Sequence, residues 1–541
     1  MKSPHLLLIS AYCASSILMA KVNPVVPTNG DDLARQIDAL FDQGEKAHHD
    51  KITKDDLPNI WLRAAREHVK MLIWLKDHNI PGRDAVDQSG DNIWTVAIKY
   101  GDREVLDWLK KNNVPGVEHK DLSGENVWLA ATEMGNINHL DWLLENNIAG
   151  VGEKSQLGKN IWAVAASSWV SENRIKLLKW LTKNNIPGVE NGSAGKEVWD
   201  GAAIAFPDDA NVSVLQYLYD NKIPGREEFR EGLKDTLADI VGGAGATDVV
   251  DWLLKNRFLD KEQIAKFMPD IWIKSAEMDI EYGPASIIRW LIKNDIAGAD
   301  YIDETGKNVW LPSGEFTDIG DILELLFRAN ISGVNQINNI GTNVWLNAAE
   351  ASSTKALSLL RQNKIAGREQ VDKNGKNIWL YAASGYLAGS NEFEWLAKNN
   401  IPGREQVDNT GKNIWLHGAG YVDNLKWLAK NNVPGREQID NQGNNIWLQV
   451  AVDTDEIKEA LQWLHNHQVP GQDQINNDQQ NLWLLVANRW DAVEGLEWLM
   501  DNHVAGRDQV DKDGNTIWDI AKKSYFEETY QWLKKNMASP K

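Results

Sequence analysis

The chain has 541 residues, 43% of them hydrophobic, with a net charge of −20 and 26 tryptophans. That content excludes a disordered chain, and the acidic surplus argues against phosphate backbones and anionic membrane surfaces as partners. The single cysteine, Cys13, leaves no disulfide or thiolate chemistry for the body of the chain.

Met1-Lys2 leads into an apolar run from Leu6 to Met19 that ends at Ala20. One positive charge, an apolar stretch short for a bilayer and a small final residue fit a secretory signal over residues 1–20. Cleavage would make the protein periplasmic or secreted; an uncleaved terminus would leave it cytoplasmic. Later stretches are not long and apolar enough to span a membrane, so no insertion is expected once the signal is removed. Residues 21–50 open as a linker marked by Pro24, Pro27 and Gly30. Leu33, Ile37, Leu40 and Phe41 then fall at helical spacing, as in a helix that caps an array.

From residue 51 to 536 one frame returns about every 35 residues, leaving residues 537–541 as a tail. The first column of tryptophans runs from Trp61, Trp94 and Trp128 to Trp483 and Trp518, with one gap of two periods between Trp199 and Trp272. A degenerate copy around Asp235–Gly245 fills the gap, which gives about fourteen units. A second column holds Trp or Leu, as at Trp142, Trp180, Leu359 and Trp427, and a third is a turn such as Val433-Pro434-Gly435.

The copy from Asp408 to Gly435 shows the physics of one unit. Asp408-x-x-Gly411 reads as a tight turn. Asn413 stands where its side chain can cap a helix, and Trp415, Leu416 and Ala419 give that helix its apolar face. Leu425, Trp427 and Leu428 belong to a second helix, which Asn431-Asn432 ends in the left-handed conformation. Two helices this short cannot bury their faces alone, so neighbouring pairs must stack. The predicted fold is an all-α repeat solenoid of helix-turn-helix units.

The run Asp372-x-x-Gly375-Lys376-Asn377-Ile378-Trp379-Leu380-Tyr381-Ala382-Ala383, with Trp395-Leu396 in place of a leucine pair, resembles the ankyrin repeat. It departs where the family has T-P-L-H: here N-I-W-L or N-V-W-L stands instead, so the hydrogen bonding of that motif is replaced by an Asn cap and a larger apolar side chain. The resemblance implies a protein–protein interaction scaffold that binds a protein partner along an extended concave surface, as a monomer, without cofactor or metal. Residues 200–315 deviate most: the copy at 235–245 lacks both Asn and Trp, and Pro312 and Gly314 fall inside the first helix of the Trp310 unit. Decay of a tolerant array and a specialised binding segment both fit.

The tryptophan columns are expected in the core, the alternative being a sugar-stacking platform in a secreted carbohydrate-binding protein. Trp169 and Trp490 lie off both columns and are the surface candidates. The Pro-Gly turns are followed by Arg and an acid, as at Arg368-Glu369, Arg404-Glu405, Arg436-Glu437 and Arg507-Asp508. These form a ladder of ion pairs between units or a charged edge that meets a partner. The candidate binding residues are therefore Arg368, Arg404, Arg436 and Arg507, with His417 and Tyr381 among those that vary between copies. Asp511-x-Asp513-Gly514-Asn515 is the ordinary turn of its unit and lacks the closing acid of a calcium loop. His465-x-His467 and His48-His49 have no third ligand in sight. The sequence contains no catalytic motif, and an enzyme would need a site that these patterns do not reveal.

Overall fold

The Asn, Trp and Pro-Gly columns recur because each completes the hydrogen bonding of the others. In the computed structural model, residues 59–537 are described apart from 68, 190–191, 206–209, 244–245, 278–283, 313–318, 386–389 and 524–526. The expected signal, linker, capping helix and His48-His49 pair lie outside the described residues, as do residues 538–541 of the tail. Asn413 precedes the helix Ile414–His417 with extended backbone, and its Oδ1 accepts from the amides of Trp415 and Leu416 at 3.1 and 3.2 Å. Its Nδ2 donates to the carbonyl of Gly435 at 2.7 Å, while the Trp415 indole N–H donates to the Val433 and Pro434 carbonyls at 3.1 Å. A Ser or Thr cap has no N–H pair for the second bond, which is the physical reason for Asn here.

The same bonds recur at Asn92, Asn126, Asn343, Asn377 and Asn445, each with its own unit's turn glycine. Second helices end at a left-handed residue such as Asn113, Asn147 or Asn432, with φ of 49°, 53° and 49°. The glycine of the Pro-Gly turn, for example Gly435 at φ +89°, lies so close to the cap that a Cβ there would stand 2.5 Å from Asn413 Nδ2.

Both tryptophan columns turn inward. Trp128, Trp345, Trp379, Trp415, Trp447 and Trp483 are fully buried. The second column is buried or half-buried and ties neighbouring units: the indoles of Trp142, Trp180 and Trp290 donate to Asp107, Asp141 and Asp251 at 2.7, 2.7 and 2.6 Å. The expectation of core tryptophans agrees with this burial, and the indole N–H groups are spent on packing partners.

The described residues contain 28 helices. Thirteen helix pairs, the single helix Ile319–Arg328 and an added helix Lys261–Phe267 account for them. The chain divides into two units, Met1–Thr236 and Leu237–Lys541, and each is a stack of ankyrin-like helix pairs. The degenerate copy around Asp235–Gly245 is a helix pair, Arg226–Val241 and Ala246–Lys255, with Asp235 inside the first helix. One local expectation needs correction. Among the described residues of the Trp310 unit, Val309 and Trp310 form a turn and not a helix start, leading to Pro312, whose ring and missing N–H disfavour a helix there. Gly314 lies outside the described residues.

Candidate interaction surface

Each regular unit projects its aspartate turn. Asp408 Oδ1 accepts from the amides of Thr410 and Lys412 at 2.8 and 2.9 Å, and the same pattern holds Asp121, Asp372, Asp440 and Asp511. Asp511 thus makes the ordinary turn bonds of its unit. Adjacent turns are joined by one backbone bond, as from the Asn409 amide to the Asn374 carbonyl and from Asn441 to Thr410, both 2.8 Å. Gln406 and Gln438 add a second link, donating to the glycine carbonyls of the preceding turns, Gly375 and Gly411, at 2.9 and 2.8 Å. The turns thus line up in two runs, from Asp87 to Ser155 in the first unit and from Asp303 to Asp511 in the second, each a continuous edge.

Behind that edge, between the turn and the first helix, lies a row whose chemistry changes from unit to unit. In the first half, Lys99 Nζ meets Asp91 at 2.8 Å and Asp121 at 3.7 Å, all three side chains nearly buried. Burial works against the Lys99 charge, but the Asp91 hydrogen bond and the charges of Asp91 and Asp121 outweigh it and raise its pKa. One unit on, burial, the Glu133 carboxylate and Asp121 push the Glu125 carboxyl up to about 8. In the second half, Glu350 is raised by burial and Lys376 lowered by burial. The Lys376 ammonium lies 4.6 Å from the Tyr381 ring centre and donates to Ser384 Oγ at 2.9 Å.

The six candidates from the sequence fall into two groups. Tyr381 is 4% exposed, and its hydroxyl donates to Asp372 Oδ2 at 3.0 Å and sits 3.1 Å from Thr342 Oγ1. His417 Nε2 lies 2.9 Å from Asp408 Oδ2. Burial, followed by the Lys376 charge, lowers its pKa to about 4, so the neutral ring donates to the turn acid at pH 7. Both side chains brace a turn from behind. The arginines face solvent: Arg368 and Arg507 are exposed, Arg404 and Arg436 half-exposed. Arg368 and Arg507 approach only their adjoining acids, Glu369 and Asp508, at 3.8 and 3.7 Å. The pairs that do bridge units sit elsewhere, as at Lys426–Glu459 and Lys512–Asp478, 3.0 and 2.7 Å apart.

Sequence reasoning missed one column. Immediately before the turn acid or its Asn substitute stand Ile302, Ile337, Val371, Val407, Ile439, Ile475 and Val510, each 41–49% exposed. Val371 and Val407 are extended and bridge back to Asn377 and Asn413. The signal was present in the recurring Gln-Val-Asp and Gln-Ile-Asp or Gln-Ile-Asn triplets. It went unread because a single Val or Ile beside a turn reads as a β-branched residue in extended backbone. Trp169 and Trp490 do face solvent, at 62% and 64% exposure. Among the described residues, no group of three or more His, Cys, Asp or Glu is arranged to hold a metal ion, and no helix is long and apolar enough to cross a membrane.

The geometry defines an all-α repeat solenoid of ankyrin-like units. No protein-family model matches the chain, and no curated protein does. Among solved structures it is similar to the human ASB11 ankyrin repeat domain, at 18% identity and a TM-score of 0.32, over 41% of this chain and 96% of that one. It is also similar to a chain in the complex of a predatory endopeptidase from Bdellovibrio bacteriovorus with an immunity protein. There the identity is 19% and the TM-score 0.29, over 36% of this chain and 99% of that one.

Proposed function

We propose that the chain is a non-catalytic scaffold that binds a protein partner along the exposed residues of the turn edge. The observation that carries this reading is the division of labour within each unit. The Asn, Trp and turn-glycine positions repeat with the same hydrogen bonds. The exposed positions between them change, as at the residue after the turn acid or its substitute: Leu122, Gln156, Glu304, Lys373, Asn409 and Lys512. A frame held constant under a changing row suits recognition over several adjacent units, with a few residues carrying most of the affinity. The outward arginines Arg368, Arg404, Arg436 and Arg507 are the proposed charged contacts. Cleavage of the expected signal would place this binding outside the cytoplasm.

Affinity capture with the intact chain, beside an Arg368→Glu/Arg404→Glu/Arg436→Glu control, tests the reading. A discrete protein retained by the first and lost from the second is expected. Repeated recovery of none, or equal recovery by both, sinks it.

A further inference from the structure

The apolar column has no counterpart in the packing described above. Extended backbone explains why these positions favour β-branched side chains, but Thr would meet that need without apolar exposure. All seven rungs from Ile302 to Val510 instead carry Val or Ile, each a little under half exposed. The hydrogen bonds between successive turns hold the rungs side by side, so the residues form a row and not scattered singles. An aligned row of exposed apolar side chains is the kind of surface that marks contact sites.

We propose that this row is the contact surface for a second copy of the chain. The inference rests on reading the turn edge as an interaction surface, and it names the partner. Three observations choose the occupant. First, the backbone edge is closed to an added strand. Gln370 Nε2 donates to the Val371 carbonyl at 3.1 Å and to Gly341 at 3.0 Å, and Gln406, Gln438 and Gln474 repeat the arrangement. Contact must therefore run through side chains. Second, the row is flanked by both signs: Arg368-Glu369, Arg404-Glu405, Arg436-Glu437 and Arg507-Asp508. At these four of the seven rungs a partner of one sign meets attraction and repulsion, whereas an antiparallel copy centred on Val407 sets acid opposite arginine at the Val371, Val407 and Ile439 rungs, as a two-fold interface requires. Third, a second copy presents the same row, so the apolar side chains of the two copies can cover each other.

Sedimentation velocity on the full chain, from about 1 to 100 µM, tests this. A dimer is expected within that range, and it should tighten as salt rises from about 50 to 300 mM, because screening relieves the repulsion of two acidic bodies. Val371→Thr/Val407→Thr/Ile439→Thr keeps the β-branched shape and should abolish the dimer with circular dichroism unchanged. A further test mixes a pool carrying Arg404→Glu with a pool carrying Glu405→Arg. Each pool alone should weaken and the mixture recover. A chain that stays monomeric throughout overturns the proposal, as does a dimer that survives the three threonines or the absence of recovery on mixing. A monomer that still captures a protein in an Arg-dependent way overturns only this inference and leaves the scaffold reading in place.

Discussion

Regular units such as Asp372–Gly403 and the stretch from Ser193 to Lys293 solve one packing problem in two ways. In the first, an Asn side chain joins the start of the first helix to the turn glycine, with Asn377 Nδ2 2.7 Å from the Gly403 carbonyl. In the second, the first helix begins at Ser193 without a side-chain cap and runs to Ile204. Its backbone takes the place of the Asn, with Gly195 lying directly against Gly225. What both share is the indole: Trp199 donates to the Ile223 and Pro224 carbonyls and Trp272 to the Ile296 and Ala297 carbonyls, as Trp379 does to Ile401 and Pro402. The tryptophan-to-turn bond thus persists where the aspartate turn and Asn cap are replaced, except in the unit of Arg226–Val241, whose first helix has no tryptophan. That weighs against reading the irregular stretch as simple decay. It has exchanged its turns for helices, including Lys261–Phe267 with its own capping box at Asp260 and Gln263.

The sharpest way to break this comparison is to add one methyl group at equivalent glycines. At Gly225 (φ +93°) a Cβ would overlap the backbone of Gly195 and Lys196. At Gly435 (φ +89°) it would meet only the end of the Asn413 side chain, which can swing aside at the cost of its hydrogen bond. Gly225→Ala is expected to cost about 3–5 kcal/mol, from positive-φ strain together with overpacking. Gly435→Ala should cost about 1–3 kcal/mol, from strain and one lost bond. Hydrogen exchange resolves the effect by segment, with Ser193–Ile204 and Ala210–Asp220 losing protection in the first variant. Equal losses in the two variants would show that the two joints are not built differently.

A second comparison sets the acidic row of the first half against the histidine of the second. The folded pKa of Glu125, about 8, lies above its ordinary 4.5. Its contribution is therefore fully present below about 4.5 and is lost as pH rises through 8. His417, at about 4 in the fold against an ordinary 6.5, has the opposite sign. Its contribution is present above about 6.5 and is lost as pH falls through 4. Protection of the helices Ile93–Tyr100 and Val127–Glu133 should fall between pH 5 and 8, and Glu125→Gln should flatten that fall. Protection of Ile414–His417 should fall between pH 6.5 and 4 and lose that dependence in His417→Gln. Slopes of one sign in both halves would refute the assignment.

These contrasts also mark how much the sequence could say. The helix pairs, the Asn caps, the left-handed Asn ends and the inward tryptophans were legible, because each depends on contacts within one period, and periodic residues expose such contacts. The partners of Tyr381 and His417 were not. Variation between copies made both look like surface residues, but the side chain in that position of the first helix reaches back nine residues to the turn acid. Here the row varies and is buried. The degenerate copy was legible by its place in the period alone, since its first helix, Arg226–Val241, carries neither the Asn nor the Trp of the frame. The apolar edge was hidden because exposure belongs to the stack and to no single unit.

The smallest expected effect separates the exposed tryptophans from the buried ones. Trp490 stands seven residues after Trp483 in the same unit, yet one is 64% exposed and the other 2%. Trp169 has the same offset from Trp162, at 62% against 3%. Iodide or acrylamide should therefore quench a minor fraction of the emission of 26 tryptophans, and Trp169→Phe/Trp490→Phe should remove most of that fraction. Its stability should change by no more than about 0.5 kcal/mol, as for surface positions generally. The same pair tests the carbohydrate reading, since a stacking platform needs exposed indole faces and the two columns offer few. Soluble glycans that shift the emission of the parent chain but not of the double variant would favour sugar binding over the scaffold. An unchanged spectrum leaves the aromatic columns with a packing role alone.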